Sequence, residues 1–228
     1  MKNFFFLLIL TAVCSEAAAQ ETNPDWPNLN KYRTANEAII SKGQFPKVVF
    51  MGNSITEGWG KQRPEFFEEH NFVSRGISGQ TTPQMLIRFT ADVIDLKPEV
   101  VVILAGTNDI AGNTGFASVK MITDNLKAMA QLASANDIKV VLSSILPVFQ
   151  YPWSKEVDAV PIIAQVNQWI KQYATQNGHV YLDYFPDMAD EKKGLKQVYS
   201  GDGVHPNLEG YATMEPLVLQ AIEQALEN

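Results

Sequence analysis

The residues best suited to chemistry in this sequence are one serine and a distant aspartate–histidine pair. Ser54 stands in "VVFMGNSITEGWG", directly behind a run of strand-forming residues, and Asp202 and His205 stand in "SGDGVHPNLEGY". A serine hydroxyl is a weak nucleophile until a base removes its proton, and that base is often a histidine oriented by a carboxylate. The short spacing between Asp202 and His205 allows one loop to carry both. These residues predict nucleophilic hydrolysis at Ser54.

The same residues also have a structural interpretation. Ser54 or Thr56 could cap a following helix. Asp202 and Asn207 could be turn and cap residues around Pro206. Residue types alone leave both interpretations open.

The glycine-rich stretch around Ser54 does not match two well-known loops. A phosphate-binding P-loop has four residues between its glycines and then a lysine, whereas five residues separate Gly52 from Gly58 and Trp59 follows. The Gly-x-Ser-x-Gly turn of the α/β-hydrolases has a second glycine where this chain has Thr56. Ser54 is therefore expected on a different strand-to-helix turn, eased by Gly52.

The other two histidines are predicted to be structural or on the surface. His70 precedes a strand-like stretch at 72–76, and His179 opens another at 179–185. Both would lie at the amino ends of strands, whereas the ligands of open parallel sheets gather at the carboxyl ends.

Two further stretches supply hydrogen-bond donors. In "RGISGQTT", Gly76 and Gly79 would lie in a loop that exposes backbone N–H groups, and "AGTNDI" places the Asn108 amide behind another strand. Such donors stabilise the negative oxygen of a tetrahedral intermediate, each typically by a few kcal/mol. Glycine and Asn-Asp are also common turn formers, so two ordinary turns are the alternative.

Predicted strands and helices alternate along the chain. Stretches rich in Val, Ile, Leu and aromatic residues predict strands at 47–51, 72–76, 99–106, 138–146 and 179–185, and helical patterns fall at 31–42, 82–95, 116–135, 160–177 and 207–226. Several strands are apolar without alternation, as in a sheet covered on both faces. This order predicts a three-layer α/β/α sandwich around a five-stranded parallel sheet, with the functional site at the carboxyl ends of the strands.

Four motifs in this chain resemble, in order, those of the SGNH hydrolases, also called GDSL-type esterases and lipases. "FMGNSITEG", "SRGISGQTT", "ILAGTNDI" and "GDGVHPNLEGY" resemble the serine, glycine, asparagine and aspartate–histidine motifs of that family. The resemblance implies Ser54 as the nucleophile, His205 as its base and Asp202 as the partner of the histidine. Gly79 and Asn108 would be oxyanion donors beside the Ser54 backbone N–H.

The resemblance also implies a flavodoxin-like sandwich, a carboxylic ester substrate, no metal and no organic cofactor. One position departs from the family pattern, because aspartate often precedes the serine and this chain has Asn53. Asparagine can hydrogen-bond within the turn but brings no negative charge. The departure bears on the fine geometry of the turn more than on activity.

The overall composition fits one domain and argues against a nucleic-acid partner. The 228 residues are 46% hydrophobic and 19% charged, which suits a single domain with a continuous core. The formal net charge is −7, and no dense Lys/Arg cluster offsets it, so binding to phosphate backbones is disfavoured. One domain is expected over residues 20–228, and its oligomeric state is left open.

The first residues predict export. "MKNFFFLLILTAVCSEAAAQ" has a basic start, an apolar stretch and small residues before the end, which is the pattern of a secretory signal peptide at 1–19. The apolar stretch is shorter than the roughly twenty residues of a membrane span, so no permanent anchor is expected. Cys14 as a lipoprotein cysteine is a weaker alternative, because the residues before it match that motif poorly. Cleavage after Ala19 would release a cysteine-free protein, without disulfides or thiolate metal sites, to the periplasm or the exterior.

The substrate is only partly constrained. The stretch 145–157 places Phe149, Tyr151 and Trp153 where they could stack on a sugar, hold an acyl chain or pack beneath their own loop. No long apolar lid is visible, which together with export favours acetyl groups on carbohydrates. Two alternatives are a lysophospholipase or thioesterase for longer chains, and a catalytically silent carbohydrate-binding protein on the same fold.

Overall fold

The computed structural model of the protein describes residues 25–228. The predicted signal peptide at 1–19 and Cys14 lie outside these residues. Within residues 25–228, no helix is both long and apolar enough to cross a membrane.

Five parallel strands form one sheet. They are β1 (Val48–Gly52), β2 (Phe72–Gly76), β3 (Val100–Leu104), β4 (Lys139–Ser143) and β5 (Val180–Leu182), in the spatial order β2-β1-β3-β4-β5. That order is the flavodoxin-like one, in which the direction of winding reverses between β1 and β3. Ligands of such sheets bind outside the carboxyl ends of the strands at this reversal.

Helices cover both faces of the sheet. They are α1 (Arg33–Lys42), α2 (Ser54–Gln62), α3 (Pro64–Glu69), α4 (Thr82–Asp92), α5 (Thr107–Ile110), α6 (Val119–Ser134), α7 (Ala159–Gln176), α8 (Phe185–Met188) and α9 (Leu208–Glu227). Two short 3₁₀ helices lie at Ile94–Leu96, after α4, and at Gln197–Tyr199, before α9.

Alternate strand residues enter two separate apolar cores. Val49 and Met51 of β1 pack with α4, α6 and α7 on one face, and Val48 and Phe50 pack with α2, α3 and α9 on the other. The successive side chains of a strand point to opposite faces, so a strand buried on both sides must be apolar throughout. The predicted three-layer α/β/α sandwich is confirmed.

The strands end earlier than their hydrophobic runs. Predicted strands 99–106, 138–146 and 179–185 stop at Leu104, Ser143 and Leu182. Residues just beyond them, such as Ala105 and Ile145, are still buried beneath the loops at the carboxyl edge. Hydrophobicity therefore continues after strand pairing has ended.

Gly76, at the end of β2, lies against the backbone of the turn and helix that follow β1. A Cβ added there would lie 2.6 Å from the Asn53 carbonyl oxygen and closer still to the Glu57 nitrogen. Backbone atoms of a packed helix cannot move aside as a flexible side chain can. A glycine is therefore required where β2 meets α2.

We expect Gly76→Ala to lower the free energy of unfolding by about 2 to 3 kcal/mol, because the added methyl group overpacks this contact. Urea denaturation followed by circular dichroism measures the change. Gly201→Ala is the matched control, since a Cβ at Gly201 meets nothing within 4 Å and its φ is not in the left-handed region. Equal stability of the two variants would show that the β2–α2 contact is not tight.

A buried carboxylate joins α5 to the start of α4. Asp109 accepts hydrogen bonds from the Thr82 backbone N–H, at 3.0 Å from each carboxylate oxygen, and from the Thr82 hydroxyl. Burial raises the pKa of Asp109 to about 6, against the hydrogen bonds from Thr82 that lower it. The folded protein therefore holds a proton on Asp109 more tightly than the unfolded chain does.

This raised pKa predicts a loss of stability with rising pH. The contribution of Asp109 is fully present below about pH 4 and is lost as the pH rises through about 6. The stability of the wild type relative to Asp109→Asn should therefore fall by roughly 2 to 3 kcal/mol between pH 4 and pH 7. Urea denaturation at a series of pH values measures this difference, and a difference that does not change with pH would contradict the raised pKa.

Candidate active site

Ser54 is the first residue of α2 and follows β1 by one residue. The residue between them, Asn53, caps the helix, because its side-chain oxygen accepts the Ile55 N–H at 2.9 Å. The cap is therefore Asn53 and not Ser54 or Thr56, which leaves the Ser54 hydroxyl available. The Asn53 side-chain nitrogen is buried and has no hydrogen-bond partner among the described residues. Asparagine at this position thus supplies the capping oxygen that an aspartate would also supply.

The structure brings Ser54, His205 and Asp202 into one hydrogen-bonded chain. Ser54 Oγ lies 2.9 Å from His205 Nε2, and His205 Nδ1 lies 2.7 Å from Asp202 Oδ2. A carboxylate accepts hydrogen bonds, so it favours the tautomer with hydrogen on Nδ1 and a free lone pair on Nε2. In that tautomer the histidine can accept the proton of the serine.

Asp202 is held as a carboxylate. Partial burial raises its pKa, but hydrogen bonds from the backbone N–H and side chain of His205 and from the Val204 N–H outweigh burial and lower the pKa to about 2. The second oxygen of Asp202 accepts the backbone N–H groups of Val204 and His205 at 2.9 and 2.8 Å. Nearby Asn207 is the helix cap of α9, as its residue type suggested. The loop therefore uses Asp202 to orient the histidine and Asn207 to start the helix.

Gly79 lies in the loop behind β2, and Asn108 lies in the short helix behind β3. Asn108 is buried in α5, and its amide nitrogen donates to the Gln80 carbonyl at 2.9 Å. An amide nitrogen carries two hydrogens, so this bond orients the group and leaves a second donor. Gly79 has a φ of 78°, and a Cβ there would meet nothing within 4 Å. Gly76, expected in the same loop, is instead the last residue of β2.

A buried arginine that sequence reasoning missed connects the serine turn with the glycine loop. The Arg88 guanidinium donates to the Gly52 carbonyl at 2.9 Å, to the Gln80 side chain at 2.6 Å and to Asp92 at 2.8 Å. Arg88 has no exposed surface. The spacing of Arg88 and Asp92 on α4 signals an ion pair, but the same spacing occurs on exposed helix faces.

Glu57 provides a second connection between the same two segments. Its carboxylate accepts the backbone N–H of Ser78 at 2.8 Å and contacts Lys31 and Lys61 at 3.1 and 2.7 Å. Burial raises the pKa of Glu57, but hydrogen bonds from Lys61, Ser78 and Lys31 lower it to about 2. The carboxylate therefore stays ionised and holds the glycine loop against α2.

The three aromatic residues of the stretch 145–157 do not share one environment. Tyr151 is fully buried, with its hydroxyl 2.9 Å from the Thr107 hydroxyl. Trp153 is half-exposed, and its ring centre lies 6.1 Å from that of His205. Phe149 is exposed, and its backbone and Cβ lie next to Gly194. Tyr151 therefore packs beneath its loop, whereas Trp153 lies at the edge of the candidate site.

The other two histidines lie away from this site, as predicted. His70 Nδ1 lies 2.8 Å from the Phe66 carbonyl oxygen, and its ring stacks on Phe72. His179 precedes β5 at the opposite edge of the sheet, where burial lowers its pKa. Residues 25–228 contain no cluster of three or more His, Cys, Asp or Glu side chains that could hold a metal ion.

Residues 50–213 match the model of the GDSL-like Lipase/Acylhydrolase family. A solved structure of a GDSL-like lipase from Bacteroides thetaiotaomicron is 46% identical, with a TM-score of 0.83, and the match covers 88% of this chain and 99% of that one.

Two curated esterases are more distant relatives. Esterase TesA of Pseudomonas aeruginosa is 29% identical over 162 residues, which are 69% of this chain and 74% of the relative. An acetylxylan esterase of Geobacillus stearothermophilus is 26% identical over 214 residues, which are 79% of this chain and 95% of the relative. The matches to curated relatives cover between 34% and 95% of the relative's own length.

The family match covers most of the chain, and it includes the serine, glycine, asparagine and histidine motifs. The fold and the esterase relatives agree with it. The chain therefore belongs to the GDSL-like lipase/acylhydrolase family and is a carboxylic ester hydrolase.

Proposed function

We propose that this protein is a serine esterase in which Ser54 is the nucleophile, His205 the general base and Asp202 the residue that orients the histidine. The observation that carries the proposal is the chain of contacts from Ser54 Oγ to His205 Nε2 at 2.9 Å and from His205 Nδ1 to Asp202 Oδ2 at 2.7 Å. A carbohydrate-binding protein without activity would have no use for this hydrogen-bonded chain.

The reaction proceeds in two acyl-transfer steps. Ser54 Oγ attacks the ester carbonyl while its proton moves to His205 Nε2, and the tetrahedral intermediate forms. His205 then returns the proton to the departing alcohol, which leaves an acyl-serine. Water, deprotonated by His205, attacks the acyl-serine and releases the carboxylic acid and free Ser54.

The negative oxygen of each tetrahedral intermediate requires hydrogen-bond donors on the side of the site opposite His205. We assign this role to the backbone N–H groups of Ser54 and Gly79 and to the Asn108 amide. Support comes from the bond between Asn108 and the Gln80 carbonyl, which fixes the amide in advance, and from the open space around Gly79. Preorganised donors of this kind typically lower the barrier by about 3 to 4 kcal/mol each.

The proposed substrates are acetyl esters of carbohydrates. An aromatic side chain, Trp153, lies beside His205, where it would meet the alcohol part of an ester. The acetylxylan esterase relative acts on acetyl groups of a polysaccharide, as its name states. The first residues of the sequence support export, which would bring the enzyme to such polymers outside the cytoplasm.

We expect Ser54→Ala to lower kcat for p-nitrophenyl acetate by at least about 10³-fold, because no other hydroxyl replaces the nucleophile. The variant should keep the melting temperature of the wild type and lose covalent labelling by a fluorophosphonate. Ser41→Ala, at the exposed end of α1, is the matched control and should behave as the wild type. Near-wild-type hydrolysis by Ser54→Ala would refute the proposed mechanism.

We expect kcat/KM on p-nitrophenyl esters to be highest for acetate and to fall as the acyl chain lengthens to palmitate. The reason is that, under this proposal, the acyl side of the site accommodates two carbons and excludes longer chains by steric overlap. Initial rates across the series measure this preference. A maximum at about eight carbons or more would instead favour a lysophospholipase or thioesterase.

A further inference from the structure

A groove of about 750 Å³ opens beside the candidate active site, between the loop after α5 and the start of α7. Asp109, Ile110 and Ala111 line its buried part, and the segments 112–117 and 153–158 form its two sides. Its volume lies within the range of about 300 to 1,000 Å³ that is typical of small-molecule sites. Of the groove's side chains, the function proposed above uses only Trp153.

The groove is connected to the reacting groups through Trp153 and Asn113. The Trp153 ring lies 6.1 Å from the His205 ring, and its indole N–H donates to the Asn113 side chain at 3.0 Å. Asn113 in turn donates to the Gly79 carbonyl at 3.2 Å. The groove therefore adjoins the reacting groups, with the Trp153 ring between it and His205.

Phe116 is an aromatic residue that the fold leaves in water. Its side chain is 86% exposed, and it follows a turn in which Gly112 and Gly115 both have positive φ and the Gly115 N–H donates to the Gly112 carbonyl. No other residue of this turn has a positive φ. Trp153, on the opposite side, is 48% exposed. The groove thus offers two aromatic surfaces to a ligand.

The polar groups of the groove are carboxylates and an amide. Glu156 and Asp158 are exposed on the side opposite Phe116, and Asn113 lies between the groove and the glycine loop. The rest of the lining is apolar and includes Ile110, Ala111, Ala117, Val157, Pro161 and Ile162. An alkyl chain would use this apolar part alone, and an anionic headgroup is repelled by the carboxylates. A sugar ring matches both kinds of surface, because its C–H faces pack on aromatic rings and its hydroxyls donate to carboxylates.

We infer that this groove binds the alcohol part of the ester as a neutral sugar chain, with Phe116 and Trp153 as stacking platforms and Glu156 and Asp158 as hydroxyl acceptors. The inference rests on the proposed function and adds to it the specificity site. An ester of a quaternary ammonium alcohol is the competing occupant, because a cation also packs on aromatic faces, and the test below separates the two.

The test keeps the acetyl group constant and varies the alcohol. The substrates are ethyl acetate, which has almost no alcohol part to fill the groove, partially acetylated xylotriose and acetylcholine. For Phe116→Ala and Trp153→Ala, the ratio of kcat/KM on acetylated xylotriose to kcat/KM on ethyl acetate should fall at least about tenfold relative to the wild type. Trp153→Phe, which keeps a ring but not the N–H, should retain most of the ratio.

Phe149→Ala is the matched control, because Phe149 is also an exposed aromatic residue but lies next to Gly194 and outside the groove. Its ratio should equal that of the wild type. An unchanged ratio in both groove variants would overturn the inference, as would a selective loss of acetylcholine hydrolysis. The wild-type preference for acyl chain length tests the proposed substrate class separately, so failure of the groove and failure of the acetyl-ester assignment are distinguishable.

Discussion

The candidate site depends on a positive charge that does not contact solvent. The Arg88 guanidinium, paired with Asp92, donates to the carbonyl of Gly52 and to the side chain of Gln80. Gly52 ends the strand that presents the serine, and the backbone carbonyl of Gln80 receives the Asn108 amide. One cation therefore fixes both sides of the crevice. Removing one partner of a buried ion pair typically costs about 3 to 5 kcal/mol, because the other charge is left uncompensated.

The parallel sheet explains why four short motifs meet at one place. The carboxyl ends of β1, β2 and β3 lie side by side, with Gly52 opposite both Gly76 and Leu104, so the loops behind them are neighbours in space. The loop with the histidine joins them because α9 packs on the same face of the sheet as α2, and the Tyr211 hydroxyl donates to the Ile55 carbonyl at 2.9 Å. Apolar packing sets the positions of the elements, and hydrogen bonds fix the final alignment of the loops.

Much of the fold, and the residues of the hydrogen-bonded chain from Ser54 to Asp202, could be predicted from sequence because both depend on local signals. Apolar runs mark buried strands, and the position of Ser54 behind β1 and the spacing of Asp202 and His205 follow from the chain itself. The buried state of Arg88 could not be predicted, since an arginine four residues before an aspartate looks the same on a solvated helix. Tyr151 and Trp153 were equally ambiguous, because only the packing of the loop decides which ring is covered.

Two carboxylates close to the candidate site have pKa values shifted in opposite directions. Asp202 is partly exposed and accepts several N–H groups, and its pKa falls to about 2, whereas burial raises the pKa of Asp109 to about 6. Hydrogen bonds from Thr82 are not enough to offset the desolvation of Asp109. At neutral pH the negative charge behind the imidazole of His205 is therefore firmly fixed. That is the position where a carboxylate stabilises the imidazolium formed as a serine loses its proton. A negative charge facing the proposed oxyanion would oppose it. Asp109, next to Asn108, is mostly ionised at neutral pH with its pKa of about 6, and its carboxylate accepts the backbone N–H and hydroxyl of Thr82.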